Sequence, residues 1–312
     1  MAHLDFSKIK TYPLKKRKSK VRSSQFAQFC KKGASLERFL KSLPDILAVK
    51  SLKEVAQAII RARRKSKPVI FGVGAHVIKC GLGPILIGLI QQGWIRALAM
   101  NGATAIHDFE LALIGETSED VDEALEDGRF GMAEDSGRLI NEALREGVEE
   151  GLGAGEKLSL YLSQDKLFRH KDFSVLAQCG KLGIPVTIHI ALGTDIIHQH
   201  PSCDGKVLGE ASMIDFRKLC GIVSDLNEGG VFVNFGSSVI LPEVFLKALS
   251  VARNLKGQVK NFVTANFDMI RHYRPSENVV RRPVLVGGKG YSLIGHHELM
   301  LPLLACAIQE MA

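Results

Sequence analysis

Hydrophobic residues follow two alternating patterns from about residue 67 to the end of this 312-residue chain. Short, continuous apolar runs rich in valine, isoleucine and phenylalanine predict strands that are buried on both faces. Longer segments with apolar residues at helical spacing separate these runs and predict helices. The predicted strands cover residues 69–73, 95–100, 185–190, 231–235, 259–265 and 283–286.

The alternation of strands with helices predicts an α/β fold with a parallel sheet covered on both faces. Helices are predicted at 80–91, 105–114, 172–181, 214–226, 242–253 and 297–309. An acidic stretch lies at 116–127, and helical periodicity follows it through residue 150. In such sheets ligands bind just beyond the carboxyl ends of the strands. The residues that follow each predicted strand are therefore the first candidates for function.

Residues 1–66 differ from the rest of the chain and predict a separate N-terminal part, with the main domain at 67–312. Residues 1–22 predict a flexible arm, and 23–66 predict two amphipathic helices interrupted near Leu43-Pro44.

The net charge of +8 arises in this N-terminal part, because residues 1–70 contain 19 Lys and Arg against 4 Asp and Glu. The basic clusters lie at 15–22 and 61–67. They indicate a solvated arm, or one that docks on an acidic surface or a neighbouring subunit. Nucleic acid is not a predicted partner, because no aromatic residues interleave the charges.

The composition argues against membrane and secreted classes of protein. Hydrophobic residues make up 46 % of the chain, and no uncharged apolar run is long enough to span a bilayer. No apolar run follows the basic N-terminus, so a secretory signal is not predicted. The six cysteines are dispersed without a C-x-x-C pair, which argues against a disulfide framework. We therefore predict a cytoplasmic protein without membrane contact.

Small residues follow several predicted strands at positions suited to holding a phosphate. They are Gly74, Asn101 and Gly102, and Gly236 with Ser237. Backbone N–H groups at a helix start bind anions. The same residues equally suit tight turns and helix caps, and the sequence leaves both interpretations open.

Histidines near carboxyl groups are candidates for acid–base chemistry. Asp195, His198 and His200 follow the third predicted strand, and His107 lies in the helix after the second. Imidazoles exchange protons near neutral pH. The His-x-His pair could also bind a metal, but loop histidines are more often structural, and no metal site is predicted.

Five segments, in the same order, give the chain a resemblance to the deoxyhypusine synthase family. They are Ile184–Val186 with Asp195, Gly229–Ile240, Thr264-Ala265 with Asp268, Arg274–Val279, and Pro302–Leu304. The resemblance implies a Rossmann-like, doubly wound sheet that binds NAD between paired subunits of a homotetramer. It also implies oxidation of spermidine by NAD and transfer of its aminobutyl group through a lysine imine.

Together, the strand ends and the resemblance select the candidate site residues. The candidate catalytic residues are His107, Asp195, His198 and Glu277. The candidate cofactor-binding residues are Gly74, Asn101, Gly102, Gly236, Ser237, Thr264, Asp268 and His296.

The chain departs from the family at its reactive positions. The family's nucleophilic lysine falls on Pro283, and its neighbouring tryptophan falls on Arg281. The family's lysine–histidine pair is replaced by Leu241 and Pro242, and His296 stands where the family has an aspartate. Proline cannot form an imine, so the lysine-imine chemistry is predicted to be lost.

We therefore predict a divergent deoxyhypusine synthase-like protein that binds NAD or a related nucleotide and catalyses a different, unidentified reaction. Arg281 and Arg282 favour a ligand with a negative group, unless they face solvent or pair with acidic residues around 119–127. One alternative is an active aminobutyl transferase that uses Lys289. Another is a non-catalytic ligand-binding protein, and a metal-dependent hydrolase is a minor further alternative. The predicted partners are a small molecule and further copies of the chain, as a dimer or tetramer.

Overall fold

Two wholly buried apolar runs form the centre of a six-stranded parallel sheet. The computed structural model describes residues 3–312. β1 (Val69–Val73) and β4 (Val231–Phe235) are buried at every position, as expected for strands covered on both faces. The other strands are β2 (Ala97–Asn101), β3 (Val186–His189), β5 (Phe262–Asp268) and β6 (Gly288–Ile294).

The strands lie in the order β3-β2-β1-β4-β5-β6, and every neighbouring pair is parallel. The chain therefore builds the sheet outward from β1 to one side and then crosses back to build the other side from β4. This order places a topological switch between β1 and β4, where such sheets bind ligands. The prediction of a Rossmann-like parallel α/β fold is confirmed.

Helices connect the strands and cover the sheet. Their bounds are α1 (Leu36–Ser42), α2 (Leu47–Arg64), α3 (Ala75–Lys79), α4 (Gly83–Gln91), α5 (Gly102–Ile114), α6 (Val121–Glu126), α7 (Glu134–Glu149), α8 (Ala154–Gln164), α9 (Val175–Leu182), α10 (Gly205–Ser224), α11 (Ile240–Lys256), α12 (Tyr273–Pro275) and α13 (His297–Met311). Parallel strands require crossover connections, and helices form them here. α10 packs on α11, and α4 packs on α9 and α13. No helix within residues 3–312 is both long and apolar enough to cross a bilayer.

Stacked aromatic rings join α11 to the sheet. Phe232 of β4 and Phe245 of α11 lie with ring centroids 3.7 Å apart and planes 3° from parallel. Leu219 and Val223 of α10 belong to the same buried cluster. Removing these side chains from water is the main favourable contribution to folding, and it holds the strand ends in a fixed arrangement.

By its contacts the chain divides into two compact units, one up to Lys50 and one from Ser51 to Ala312. In the first, Ser35 caps α1 by accepting a hydrogen bond from the Arg38 N–H at 3.3 Å. The predicted helix before Leu43-Pro44 is therefore shorter than expected, because it begins at Leu36 rather than near 23. The predicted domains, 1–66 and 67–312, stay a prediction.

Several elements differ from the sequence-based prediction, and α10 for example begins at Gly205 rather than at 214. The predicted strand at 283–286 is wrong, because Arg282–Val284 form a 3₁₀ turn and Pro283 has no N–H for a strand ladder. The sixth strand is instead β6, whose glycines weaken the apolar signal of Tyr291 and Leu293. α8 was also missed, because the glycines at 151–155 indicate a chain break, although a helix starts directly after Gly153.

Candidate functional site

The ends of β1 and β4 touch at the switch point. The Gly74 N–H donates to the Phe235 carbonyl at 2.8 Å, and the Gly236 N–H donates to the Phe267 carbonyl at 3.0 Å. A Cβ atom added to Gly74 would lie 2.1 Å from the Gly236 carbonyl oxygen, and Gly236 has a φ of +69°. The two candidate glycines thus allow the backbones to meet, so a ligand at this edge would contact the main chain.

A buried histidine lies beside these glycines. His297 is the first residue of α13, and its ring centroid lies 5.8 Å from that of His76 and 5.6 Å from that of Phe235. Its buried Nδ1 atom has no hydrogen-bond partner among the described residues. Burial lowers the pKa of His297, and the negative charge of Asp268 partly offsets this effect. Burial thus favours the neutral form of the ring.

Asp268 ends β5 next to this histidine and is buried. Its Oδ1 atom accepts from the Met269 N–H at 2.8 Å, whereas its buried Oδ2 atom has no hydrogen-bond partner among residues 3–312. His272 Nε2 lies 3.9 Å from Oδ2, beyond hydrogen-bonding distance. We call His76, Asp268, His272 and His297 the switch-point cluster. His76 is its exposed member.

A second group lies where β2 and β3 end. The Asp195 carboxylate packs so closely on the start of α5 that a Cβ atom on Gly102 would lie 1.9 Å from its Oδ2 atom. Burial raises the pKa of Asp195, and the charges of His198 and His107 oppose that shift. Asp195 is thus held among two imidazoles and a helix start.

Hydrogen bonds fix the protonation pattern of His198. Its Nδ1 atom accepts from the N–H groups of Gly193 at 3.0 Å and Asp195 at 3.2 Å. The neutral ring therefore carries its proton on Nε2, which lies 4.0 Å from Asp195 Oδ2 and has no hydrogen-bond partner in the described chain. Nε2–H is available to an acceptor supplied from outside the chain.

His107 belongs to a hydrogen-bonded chain near the same edge. The Thr117 hydroxyl donates to Glu110 Oε2 at 2.5 Å, so its oxygen accepts from His107 Nδ1–H at 2.7 Å. This arrangement leaves Nε2 of neutral His107 as an acceptor. The structure brings His107, Asp195 and His198 to one end of the sheet, and their catalytic roles stay predictions.

The fourth candidate catalytic residue, Glu277, is held by arginines. It lies in the π-helical segment Ser276–Arg281. Arg281 binds its Oε2 atom through Nη2 at 2.5 Å, and Arg282 Nε lies 3.4 Å away. The hydrogen bond from Arg281 lowers the pKa of Glu277. The two arginines thus pair with Glu277 rather than with the acidic residues around 119–127, and Glu277 is not a free carboxylate for an ammonium group.

Three further candidate cofactor residues, beside Gly74, Gly236 and Asp268, form hydrogen bonds within the chain. Asn101 Oδ1 accepts from the Thr104 N–H at 2.9 Å and caps α5. Ser237 Oγ accepts from the Leu241 N–H at 3.2 Å in the first turn of α11. The hydroxyl of the fully buried Thr264 donates to the Val279 carbonyl at 2.7 Å. His296 is exposed just before α13. Their cofactor roles stay predictions.

The His-x-His pair does not converge on one point. His200 Nδ1 lies 2.7 Å from Ser202 Oγ, and its Nε2 lies 3.1 Å from Glu134 Oε2. No group of three or more His, Cys, Asp or Glu side chains within residues 3–312 is arranged to hold a metal ion.

Sequence reasoning selected His296 and missed His76 and His297 as site residues. No local signal identifies His297, because the alternation of β6 ends at Ile294 and His297 begins α13. His76 follows the glycine that ends β1. The contact between the two rings depends on the positions of β1 and α13, which no local pattern shows.

The chain is similar to known proteins in its fold and not in its sequence. No protein-family model and no curated protein sequence matches the chain. Solved structures do match. AgrE, solved with ornithine and NAD⁺, aligns with a TM-score of 0.53 and 16 % identity over 84 % of this chain and 33 % of its own. The chain thus spans about a third of the length of AgrE.

Two further structures cover most of their own length. A Methanococcus maripaludis protein assigned to the LOR/SDH class aligns with a TM-score of 0.50 and 17 % identity over 90 % of this chain and 72 % of its own. An Entamoeba histolytica protein assigned as a deoxyhypusine synthase aligns with a TM-score of 0.52 and 10 % identity over 88 % and 93 %. At these identities the likeness concerns the fold, and it confirms the resemblance at that level: the chain has a deoxyhypusine synthase-like fold.

Proposed function

We propose that the carboxyl edge of the sheet binds NAD or a related dinucleotide, and that the switch-point cluster transfers a proton there without a lysine imine. One observation carries this proposal. Exposed His76 contacts buried His297, and His297 Nδ1 and Asp268 Oδ2 are both buried and unpartnered within the described chain. Buried polar atoms without partners are costly, so a bound molecule that supplies partners would stabilise the site.

The residues at this edge suit a dinucleotide bound through the main chain. The switch point, the touching glycines Gly74 and Gly236, and the starts of α5 and α11 are the features that hold phosphates in such sheets. Two features of the usual dinucleotide-binding sequence motif are missing. Buried Val77 stands at the third glycine position, and Asn101 at the end of β2 caps a helix instead of offering a carboxylate to a ribose. When bound, NAD supplies a hydride acceptor.

The cluster supplies the proton acceptor. His76 is exposed and is the residue that would touch substrate. An imidazole accepts a proton near neutral pH from an alcohol or an ammonium group. His297 and Asp268 act as positioning residues, because the ring of His297 supports His76 and the charge of Asp268 favours a proton on His297.

The surroundings of Pro283 and of Lys289 favour loss of the lysine-imine chemistry. Pro283 has no amine, and its carbonyl accepts from Arg253 Nη2 at 2.7 Å. Lys289 is the second residue of β6, at the opposite edge of the sheet from the cluster, and its Nζ atom lies 2.5 Å from Glu54 Oε2. We therefore do not propose an aminobutyl transferase that uses Lys289 as a relocated nucleophile.

Titration with NAD⁺ tests the binding proposal. A ligand that binds only the native state at about one hundred times its Kd adds about 2.7 kcal/mol to the free energy of unfolding, which raises the Tm by roughly 5 °C or more. We expect a saturable rise of this size. Hydrogen–deuterium exchange should show protection at residues 72–77 and 235–240.

Two results would contradict this proposal. One is the absence of any Tm shift at saturating NAD⁺. The other is a shift accompanied by protection only at residues far from the carboxyl edge. Ornithine and adenosine serve as ligand controls, because neither contains both halves of a dinucleotide.

Incubation with spermidine and NAD⁺ tests the loss of imine chemistry. We expect no NADH and no increase in protein mass after borohydride reduction, because no lysine lies at the family's position. NADH formation that depends on spermidine and disappears in Lys289→Ala would instead restore the aminobutyl transferase alternative.

A further inference from the structure

A strongly basic cavity of about 830 Å³ lies at the opposite, amino edge of the sheet. Its cationic lining residues are Arg63, Lys65, Lys67 and Arg96. The volume falls within the range of about 300–1,000 Å³ that small-molecule sites occupy. Three of these cations belong to the basic cluster at 61–67, and none of the candidate site residues lines the cavity.

Adjacent chain segments bring these cations together. Lys67 precedes β1 and Arg96 precedes β2, and the Arg96 N–H donates to the Val69 carbonyl at 2.9 Å. Neighbouring strands lie about 4.8 Å apart. On the other side, a Cβ atom at Gly229 would lie 3.7 Å from Lys65 Cδ and 3.9 Å from Lys67 Cγ, so both lysine stems run along the loop before β4.

The positive charges are not neutralised within the described chain. None of the four side chains forms an ion pair or a hydrogen bond with any residue of 3–312. Asp225 is the one acidic residue in the lining, and helices α2, α4 and α10 end near this edge. Each helix end carries about half a negative charge. These opposing charges are smaller than the four positive ones, so the cavity keeps a positive field.

One arginine is already oriented for an anion. The guanidinium of Arg63 lies 4.0 Å from the ring centroid of Trp94, which is buried and donates to Gln92 Oε1 at 3.1 Å. Stacking on an aromatic face fixes the guanidinium plane. Its N–H edges then remain available for the paired hydrogen bonds that phosphate oxygens accept.

We propose that this cavity binds a small polyanion that carries two or more phosphate groups. Four cations, from the end of α2 and from the segments before β1 and β2, match several negative charges in one chain better than a single carboxylate. The ligand is distinct from the dinucleotide proposed above, since it binds at the other edge of the sheet.

Trp94 provides a direct test, because it is the single tryptophan of the chain. The probe is inorganic tripolyphosphate, added to the full-length protein while Trp94 emission is recorded. We expect a saturable change that weakens as salt is added. The basic arm at 15–22 contains no tryptophan, so polyanion bound to the arm lacks this local reporter.

Charge variants make the test specific. The triple variant Lys65→Gln, Lys67→Gln, Arg96→Gln should weaken binding about tenfold or more, because three attractions are lost. Asp225→Asn should tighten binding, because one repulsion is removed. Lys166→Gln with Lys181→Gln removes exposed cations elsewhere and should leave the affinity unchanged.

Several results would overturn the proposal. They are an unchanged Trp94 emission in the wild type, equal affinity in the triple variant, equal weakening in the Lys166 and Lys181 control, or orthophosphate binding as tightly as tripolyphosphate. Because Asp225→Asn is expected to act in the opposite direction, general damage to the fold cannot imitate the predicted pattern.

Discussion

Replacing Gly74 by alanine is expected to lower the free energy of unfolding by about 3 kcal/mol. The new Cβ atom would lie 2.1 Å from the Gly236 carbonyl oxygen and 2.5 Å from its carbonyl carbon. Both are backbone atoms, so no side chain can rotate away. The ends of β1 and β4 would have to separate, which breaks the hydrogen bond from Gly74 N–H to Phe235. Denaturant unfolding measures the change.

Gly88→Ala is the matched control for this prediction. Gly88 lies inside α4, and a Cβ atom there meets nothing within 4 Å. Alanine in a helix interior is more favourable than glycine by up to about 1 kcal/mol, so this variant should be as stable as the wild type or more stable. A Gly74→Ala variant that unfolds like Gly88→Ala would show that the two strand ends do not touch in solution.

Asp108→Ala is expected to lower the free energy of unfolding by about 4 kcal/mol. The fully buried carboxylate of Asp108 in α5 accepts from the Ser174 hydroxyl at 2.6 Å and from the N–H groups of Val175 at 2.8 Å and Leu176 at 2.9 Å. Alanine would leave three buried donors at the start of α9 without partners, each costing about 1–3 kcal/mol.

An exposed aspartate in the same region provides the control. Asp172 precedes α9 and is exposed, with no hydrogen bond to another residue of 3–312. Asp172→Ala should change stability by less than about 0.5 kcal/mol. Equal effects of the two substitutions would contradict the structural role of Asp108.

The loss in Asp108→Ala should also depend on pH. Burial raises the pKa of Asp108 from 3.8 to about 6, although its three hydrogen bonds oppose the shift. The native state therefore binds this proton more tightly than the unfolded state does. The stability contributed by Asp108 is complete below pH 4 and falls as pH rises through about 6. The difference between wild type and Asp108→Ala should be larger at pH 5 than at pH 8, and equal differences would mean that the native carboxylate is ionised at both pH values.

The parts of the fold that were predicted from sequence are those with a strong local signal. β1 and β4 have the predicted bounds, because burial on both faces requires continuous apolar runs. β6 and α8 were missed, because glycine gives no apolar signal and also occurs at helix starts. The pattern of apolar residues therefore identifies elements whose side chains pack in the core. It overlooks elements that contain glycines at their ends or along their length.

The candidate site was only partly predictable for a similar reason. Strand ends can be read from the sequence, so His107, Asp195 and His198 were selected, and the structure places them at one edge. The contact between His76 and His297 arises because α13, which follows β6, packs on α3 and α4, which follow β1. This packing brings together residues that are far apart in the sequence, and no spacing within either segment encodes it.

The length of β1 sets the distance between the two proposed binding positions, one at its amino end and one at its carboxyl end. The strand has five residues, and at about 3.3 Å per residue it separates its two ends by about 17 Å. The interior between these ends is filled by side chains, so one small ligand cannot span both positions or displace a ligand at the other. The two proposed ligands, the dinucleotide and the phosphate-rich anion, would therefore not overlap in space, so we expect that binding of one leaves room for the other.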